Sequence, residues 1–598
     1  MTIDPIATAA SSFKNRSYRR AFIWLPLLLG LISLSLGQDD SWDLRNYHLY
    51  NAFAWLHGRS HIDLAPAGLQ SYFNPLLDVF QANLFRWMPA PLLGFLLGWL
   101  QGLNVIALML IGRRLLPADS PPWRVIGLAC AGCMSAAFLS ELGNTMGDNL
   151  TALFVLGGLL LAMDSSGPLA RRKLLAAGAL VGLATGLKLT NAVYAVGLAG
   201  AFLLVPAIQG RRVKPLIFLA MGGLAGLLLT GGYWFWHMWQ LFGNPLFPQF
   251  SSLFPNSLAA NVGVADVRTL PHHLWEWLFW PLVITFNPHR LGLKEQYQVV
   301  WPVLFALYLA WAASAAVRRW RSVTANPMDV RVRRLAAFVA VSFSAWTAVF
   351  SIYRYLAPIE LLAPLLCWLL LQRLVPAKWS LRAGTWVVAV IAAFGLFNVS
   401  NGWGHAPWAE QAFRVQQPIS PPNARTSVLL VGNEPMAWMI PFLPPQWAFV
   451  GIGLNFPTGP GYAPRAQEIL RQRGGPVRIM LPAATYPRTD YISKLNRAAH
   501  LLGLDRRTDG CKRPNWLRRH FHLKAQVEEG ANGKGCSFVL RDEDRSDLAA
   551  DDQATERNAT KILAHNDLHF NVADCRRYQS WIGQASFPYL WCSAIPVR

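Results

Sequence analysis

Long apolar runs separated by short polar turns fill the first two thirds of the chain, and the last third reads differently. The runs lie at about 21–37, 90–112, 125–140, 149–163, 174–188, 190–207, 215–238, 299–317, 335–350, 355–372 and 383–399. A helix needs ~20 consecutive apolar residues to cross the hydrocarbon core of a bilayer, so these runs predict eleven transmembrane helices. The shorter ones must continue into flanking polar residues or be supported by neighbours. After residue 400 the apolar runs shrink to strand length, as in Val428-Leu429-Leu430-Val431-Gly432 and Val477-Arg478-Ile479-Met480-Leu481, with an amphipathic helical pattern over 490–503. The fold class is a polytopic α-helical membrane protein with a small C-terminal α/β domain.

Composition supports this. Hydrophobic residues make up 53% of the 598, charged residues only 14%, and there are 26 Trp and 32 Phe; soluble globular proteins carry about 25% charge. Disordered, collagen-like and coiled-coil chains are excluded, since apolar residues are abundant and no short repeat runs through the sequence.

The net charge of +22 would suit nucleic-acid binding, but its distribution fits the rule that Lys and Arg gather on the cytoplasmic side of a membrane. Basic clusters fall at alternate ends of the runs: Lys14, Arg16, Arg19 and Arg20; Arg113, Arg114 and Arg124; Arg171, Arg172 and Lys173; Arg211, Arg212 and Lys214; Arg318 to Arg334; Arg373 and Lys378; and Arg382. Taking these as cytoplasmic makes 1–20 a cytoplasmic basic tail and 21–399 the transmembrane domain, with outward loops at 38–89 and 239–298. The remaining 400–598 becomes an outward soluble domain. The first run lacks a small-residue cleavage site before Gln38-Asp39-Asp40 and is taken as a span.

Four of the seven cysteines, Cys511, Cys536, Cys575 and Cys592, lie in that C-terminal segment. An oxidising compartment would pair them, and the sequential pairing Cys511–Cys536 and Cys575–Cys592 closes the shortest loops. Cys130, Cys133 and Cys367 fall within apolar runs and read as buried thiols. His237, His272, His273 and His289 have no metal-ligand spacing, so no metal is expected. The Gly432-Asn433-Glu434-Pro435 turn lacks the spacing of a phosphate loop, and Asn558-Ala559-Thr560 is an acceptor sequon by pattern alone. The aromatic run Tyr233 to Trp239 fits an interfacial belt.

The densest polar chemistry lies in the first outward loop, Asp39-Asp40-Ser41-Trp42-Asp43-Leu44-Arg45-Asn46-Tyr47-His48-Leu49-Tyr50-Asn51. No Gly or Pro interrupts residues 43–57, and Leu49, Phe53 and Leu56 recur at helical spacing, which predicts a helix along the membrane surface. Asp43, Tyr47 and Tyr50 share its other face, a carboxylate flanked by phenols. The alternative is that Asp43 or Ser41 merely caps the helix. Tyr72-Phe73-Asn74-Pro75 follows, before a second amphipathic stretch over 76–88. Basic residues away from the cytoplasmic clusters are few. Arg354, in Ser351-Ile352-Tyr353-Arg354-Tyr355, and Lys188, in Gly186-Leu187-Lys188-Leu189, sit in outward turns where lipid phosphate lies, and the alternative for both is snorkelling to headgroups. Glu141 and Asp148 flank another outward turn, where either could shape a substrate pocket or cap a helix.

One span, then an outward loop with an acid before an aromatic-rich helix, then many spans and an outward C-terminal domain: this order, with Asp43-x-x-x-Tyr47-His48-x-Tyr50 and Tyr72-Phe73-Asn74-Pro75, resembles the GT-C glycosyltransferases. The motifs look most like the bacterial branch related to polyprenyl-phosphate-mannose transferases. The resemblance implies an inverting hexosyl- or pentosyltransferase that moves a sugar from a polyprenyl-phosphate donor to an acceptor hydroxyl on a glycan, lipid or protein, at the outer face of a bacterial inner membrane. It implies Asp43 as the catalytic base, with Asp39 and Asp40 as rivals for that role. Arg354 and Lys188 would meet the donor phosphate, and Tyr47, His48, Tyr50, Asn74 and Asp148 would line the substrate pocket. No cofactor is required, and a divalent cation has no motif behind it. The expected partners are the polyprenyl-phosphate sugar, membrane lipid and the acceptor, not nucleic acid. An envelope polysaccharide polymerase or ligase would instead use a large outward loop late in the chain. A lipid-linked glycan transporter would place charges near the bilayer midplane, whereas these lie at span ends.

Overall fold

The computed structural model describes residues 15–164, 168–206, 213–261, 268–292, 294–322, 328–399, 402–419, 425–486, 488–505, 511–530, 535–566 and 568–595. Lys14, Arg211 and Arg212 of the basic clusters lie outside the described residues. Two compact units result: Met1–Ser35, Gly94–Asn256 and Asn261–Trp403 in the first, and Leu36–Leu93, Ser257–Ala260 and Gly404–Arg598 in the second.

All eleven apolar runs are helical, but they are not equal. Seven helices have the length and apolarity to cross a bilayer: Arg16–Leu36, Ala90–Leu115, Val213–Phe242, Val300–Trp320, Val330–Val349, Tyr353–Leu374 and Ala377–Leu396. The other four runs form Pro122–Cys133 with Ala136–Ser140, Asp148–Met163, Ala170–Leu187, and Leu189–Leu204. These are shorter, broken or basic at one end, so the bundle must support them. Among the described residues, the apolar helix Leu274–Phe286 was not expected: it lies inside the segment 239–298 that was read as an outward loop.

Backbone polar groups in a bilayer must be satisfied within the helix, so helices associate there by close packing. Ala170–Leu187 and Val213–Leu227 do this with glycines four apart. A Cβ on Gly178 would stand 2.1 Å from the Leu219 carbonyl oxygen, and one on Gly182 2.1 Å from that of Gly223. From the other side, Cβ atoms on Gly222 and Gly226 would meet the Leu175 and Ala179 carbonyl oxygens at 2.0 and 2.1 Å.

In the bundle's polar turns, Asp164 meets Arg114 at 3.1 Å and Arg331 at 3.2 Å. These belong to three turns that the charge pattern put on one side. The turns carrying Glu141, Lys188 and Arg354 converge separately, as described below.

The second unit is built on a five-stranded mixed sheet in the order Ala448–Ile452, Ser427–Val431, Val477–Pro482, Tyr589–Ile595, His569–Tyr578. The first three strands are parallel, and the last two run antiparallel to their neighbours. Residues Val428 to Val431 are all buried, the run of β-branched and aliphatic residues expected of a strand covered on both faces. Cys575–Cys592 links the two antiparallel strands, and Cys511–Cys536 ties helix Lys512–His520 to the ribbon Gln526–Glu529 with Cys536–Val539. The sequon Asn558 lies within helix Leu548–Ala564.

The first loop differs from expectation in two ways. It was assigned to the transmembrane domain, yet it folds into the second unit: Gln38–Asp39 pairs with His405–Ala406, and Leu64 bridges Val450. Its helix was expected to lie on the membrane by the face bearing Leu49, Phe53 and Leu56, but of these only Leu56 is half exposed; Leu49 is buried together with Leu44, Tyr47, Tyr50 and Ala54, and Phe53 packs against them. These pack against Trp438, Met439, Trp447 and Phe449. The physical reason is the dual character of tyrosine, whose ring buries well once its hydroxyl finds a partner.

Arg59 fastens the loop. It is 3% exposed and donates bidentately to Asp63, through Nε at 2.9 Å and Nη2 at 2.7 Å, and to the carbonyls of Pro445 and Trp447 at 2.6 and 2.5 Å. Asp63 also accepts from the Phe449 amide at 2.9 Å and the Tyr50 hydroxyl at 3.3 Å. Arg59→Ala would leave Asp63 as an uncompensated buried charge, an effect of about 3–5 kcal/mol. The expected outcome is a large fall in thermal stability or loss of folded protein from membranes, and a variant as stable as wild type would contradict this assignment. In the bundle, Gly182→Leu should cost at least about 2 kcal/mol by overpacking. Gly127→Leu, where a Cβ meets nothing within 4 Å, should be almost silent in the same detergent melt; equal effects would count against the close-packing account.

Candidate active site

The acidic residues of the first loop do different jobs. Asp39 Oδ1 accepts from the Ser41 amide at 2.8 Å, so its carboxylate stabilises the backbone entering the helix. Ser41 Oγ accepts from the Leu44 amide at 3.4 Å, as an N-cap hydroxyl does. Asp40 is the more exposed of the three, and its carbonyl oxygen accepts from Arg45 Nε at 3.1 Å. Asp43 makes no capping bond. Its carboxylate is 5% exposed and accepts from the Tyr47 hydroxyl at 3.1 Å. Leu44–His48 forms a π-helical turn, a local widening common at functional sites, between Asp43 and helix Leu49–Leu56.

The remaining first-loop candidates scatter. Tyr50 does not flank Asp43, because its hydroxyl turns to Asp63, and burial together with that carboxylate pushes its phenol well up. His48 joins Asp78 through Nδ1 at 2.6 Å, with the Tyr47 ring 4.1 Å from its own. Asn74 Oδ1 accepts from the Leu76 amide at 3.1 Å, turning the chain into helix Leu76–Trp87. Arg45, lowered by burial against the pull of Asp40 and Glu434, lies with its guanidinium over Phe587.

In the first unit, the three remaining candidates meet. Helix Asp148–Met163 starts after Gly147, whose φ of 88° only glycine adopts readily, and Gly143 with φ 84° bends the same turn. Gln101 fixes that turn, donating to the Asn144 carbonyl at 3.0 Å and accepting from the Gly143 amide at 2.8 Å. Lys188 Nζ donates to Asp148 Oδ2 at 2.6 Å and to the Met146 carbonyl at 2.8 Å. Arg354 Nε stands 4.0 Å from the same oxygen, and its guanidinium lies 5.2 Å from the rings of both Tyr355 and Trp403. Such contacts are built rather than solvated, so neither cation is merely snorkelling to lipid.

Some participants escaped the sequence reading. Asp78, the partner of His48, lies in the amphipathic stretch after Pro75, where nothing in the pattern marked it. Met146 and Trp403 have side chains with no recognisable chemistry in a pattern. Glu141, buried beside Asp148, was recognisable only as an acid near a turn. Among the described residues no group of three His, Cys, Asp or Glu side chains has the arrangement of a metal site. What the two clusters can do chemically is distinct: one presents a buried carboxylate held by a phenol, and the other two cations held by one carboxylate, apt for an anion.

Residues 72–345, just under half the chain, match the family model described as Glycosyltransferase family 87. The match takes in Asn74, Glu141, Asp148 and Lys188 and leaves out Asp39, Asp40, Asp43 and Arg354. No curated protein sequence matches the chain. Among solved structures, the crystal structure of ArnT from Cupriavidus metallidurans bound to undecaprenyl phosphate is similar at 13% identity and TM-score 0.43, over 88% of this chain and 98% of that one. The Archaeoglobus fulgidus oligosaccharyltransferase tethered with an acceptor peptide is similar at 12% identity and TM-score 0.41, over 90% and 75%. Nothing in these matches singles out a mannosyltransferase-like branch. Over residues 72–345 the chain is thus similar to the glycosyltransferases of family 87, and its described helices include seven long and apolar enough to cross a membrane.

Proposed function

We propose that the protein is an inverting glycosyltransferase that moves a sugar from a polyprenyl-phosphate donor to an acceptor hydroxyl at the outer face of a bacterial inner membrane, with its N-terminus cytoplasmic. Asp43 is the base. It takes the proton of the acceptor hydroxyl as that oxygen attacks the anomeric carbon, the bond from that carbon to the phosphate oxygen breaks, and its electron pair stays on the phosphate. Lys188 and Arg354 hold the phosphate and steady the charge it gains. They supply positive charge that a divalent cation would otherwise bring, so no cofactor is required. The acceptor is a glycan, a lipid or a protein.

One observation supports Asp43 over its neighbours. Asp39 spends its carboxylate on a backbone amide and Ser41 supplies the cap, while Asp43 is buried, does no capping and is oriented by Tyr47. A carboxylate placed that way, with the acceptor proton delivered to it, contributes roughly 10²–10⁴ in rate as a general base.

Purified protein in nanodiscs, given a panel of radiolabelled polyprenyl-phosphate sugars and candidate acceptors, should turn over one donor. Asp43→Asn should lower kcat by about 10²–10⁴ without unfolding the protein. Asp39→Asn, which can still accept from the Ser41 amide, should stay within about tenfold of wild type. Full activity in Asp43→Asn, or consumption of no donor by wild type, would contradict the proposal.

A further inference from the structure

The cation cluster of the first unit contains one acid too many. Lys188 and Arg354 both face Asp148, which compensates one of their two charges. Glu141 lies at the other end of the same turn, 1% exposed and within reach of the Asp148 charge, and among the described residues no hydrogen-bond donor reaches either of its carboxylate oxygens. A buried carboxylate without donors and next to a second carboxylate cannot stay ionised cheaply: it must be paired or neutral. Asp148 holds the Lys188 ammonium, so the proton belongs on Glu141.

We propose that Glu141 is a positioning residue of the donor-phosphate site, holding one proton against Asp148 so that the cluster presents a single net positive charge. This rests on the proposal that the Lys188–Arg354 cluster takes a lipid-linked phosphate, and it deepens that reading by assigning the charge state. The cluster's charge then matches a phosphodiester donor, which carries one negative charge. Loss of the proton would bring the cluster to zero net charge and weaken its hold on any anion.

The groups that face Glu141 are consistent with this. Asp148 opens the helix Asp148–Met163, Lys188 follows helix Ala170–Leu187, and Arg354 lies in the turn Tyr353–Leu356. Tyr355 lies near both cations, its ring 5.4 Å from Lys188 Nζ and 5.2 Å from the Arg354 guanidinium. Glu360, the other acid nearby, is engaged elsewhere: it accepts from the Ala137 amide at 2.8 Å and from the Tyr353 hydroxyl. Burial, reinforced by the Asp148 charge and opposed by Lys188 and Arg354, pushes the Glu141 carboxyl well above its ordinary value. A group raised in this way is neutral below its shifted value and ionises as pH rises through it.

The test uses a polyprenyl methyl phosphodiester, whose one charge does not titrate, binding to the full-length protein in nanodiscs between pH 6 and pH 9. At neutral pH Glu141→Gln, permanently neutral and nearly isosteric, should bind within about twofold of wild type because the wild-type carboxyl is already uncharged there, and any fall in wild-type affinity as pH rises should be missing from the variant. Infrared difference spectra at neutral pH should show a protonated carboxyl carbonyl band in wild type that is missing from Glu141→Gln, a readout independent of turnover and of ligand. Binding by Glu141→Gln about tenfold tighter than by wild type at neutral pH, as removal of a negative charge would give, or no such band, would overturn the assignment of the proton while leaving the phosphate site intact. Absence of binding by either protein at every pH would instead overturn the lipid-phosphate reading beneath it, with the infrared band still reporting the proton.

Discussion

The second unit depends on a buried charge being met completely. Asp63 lies inside the protein, and only the bidentate hydrogen bonds from Arg59, with the Phe449 amide and the Tyr50 hydroxyl, make that tolerable. Arg59 in turn takes up the carbonyls of Pro445 and Trp447. Residues almost four hundred positions apart are thereby locked into one core, and the helix carrying Asp43 is fixed as part of it. A loop that only lay on lipid would hold its acid loosely. This one holds it on a wall of tryptophan and phenylalanine.

The bundle solves the same problem of burying charge differently. At one set of turns Asp164 meets Arg114 and Arg331; at another Asp148 meets Lys188 and Arg354. The first is balanced by surplus cation in an ordinary basic cluster. The second combines two cations with two acids in a buried setting, and such mixed sites are where proteins tune charge for function rather than for stability alone. Close glycine contacts between Ala170–Leu187 and Val213–Leu227 give the Lys188 turn a firm base.

Legibility in the sequence tracked the range of the interaction concerned. Apolar runs of near-spanning length are local, and all eleven became helices, although four of them, such as Asp148–Met163 with its 16 residues, are too short for the count to settle how many cross. The strands at 427–431 and 477–482 were legible for the same reason. The cysteine pairs, 25 and 17 residues apart, followed from loop length. What failed was non-local or amphipathic. Counting Tyr47 and Tyr50 as polar hid that the first-loop helix is buried on their face as well as at Leu49, and nothing local announced that Leu64 would bridge Val450. The π-helical turn at Leu44–His48 lies between Asp43 and Tyr50, whose hydroxyl turns to Asp63 instead. In the bundle, Lys188, Arg354 and Asp148 were nameable as charges out of place, but their meeting required turns from three different helices to converge.

The central claim is that a sugar leaves a polyprenyl phosphate with inversion at its anomeric carbon. The most direct measurement is the proton NMR spectrum of product made by the purified protein from a polyprenyl-phosphate sugar of known anomeric configuration, with released polyprenyl phosphate quantified alongside. The account predicts product of the opposite anomeric configuration and one polyprenyl phosphate for each sugar transferred. Retained configuration, or sugar transfer without release of polyprenyl phosphate, would contradict it.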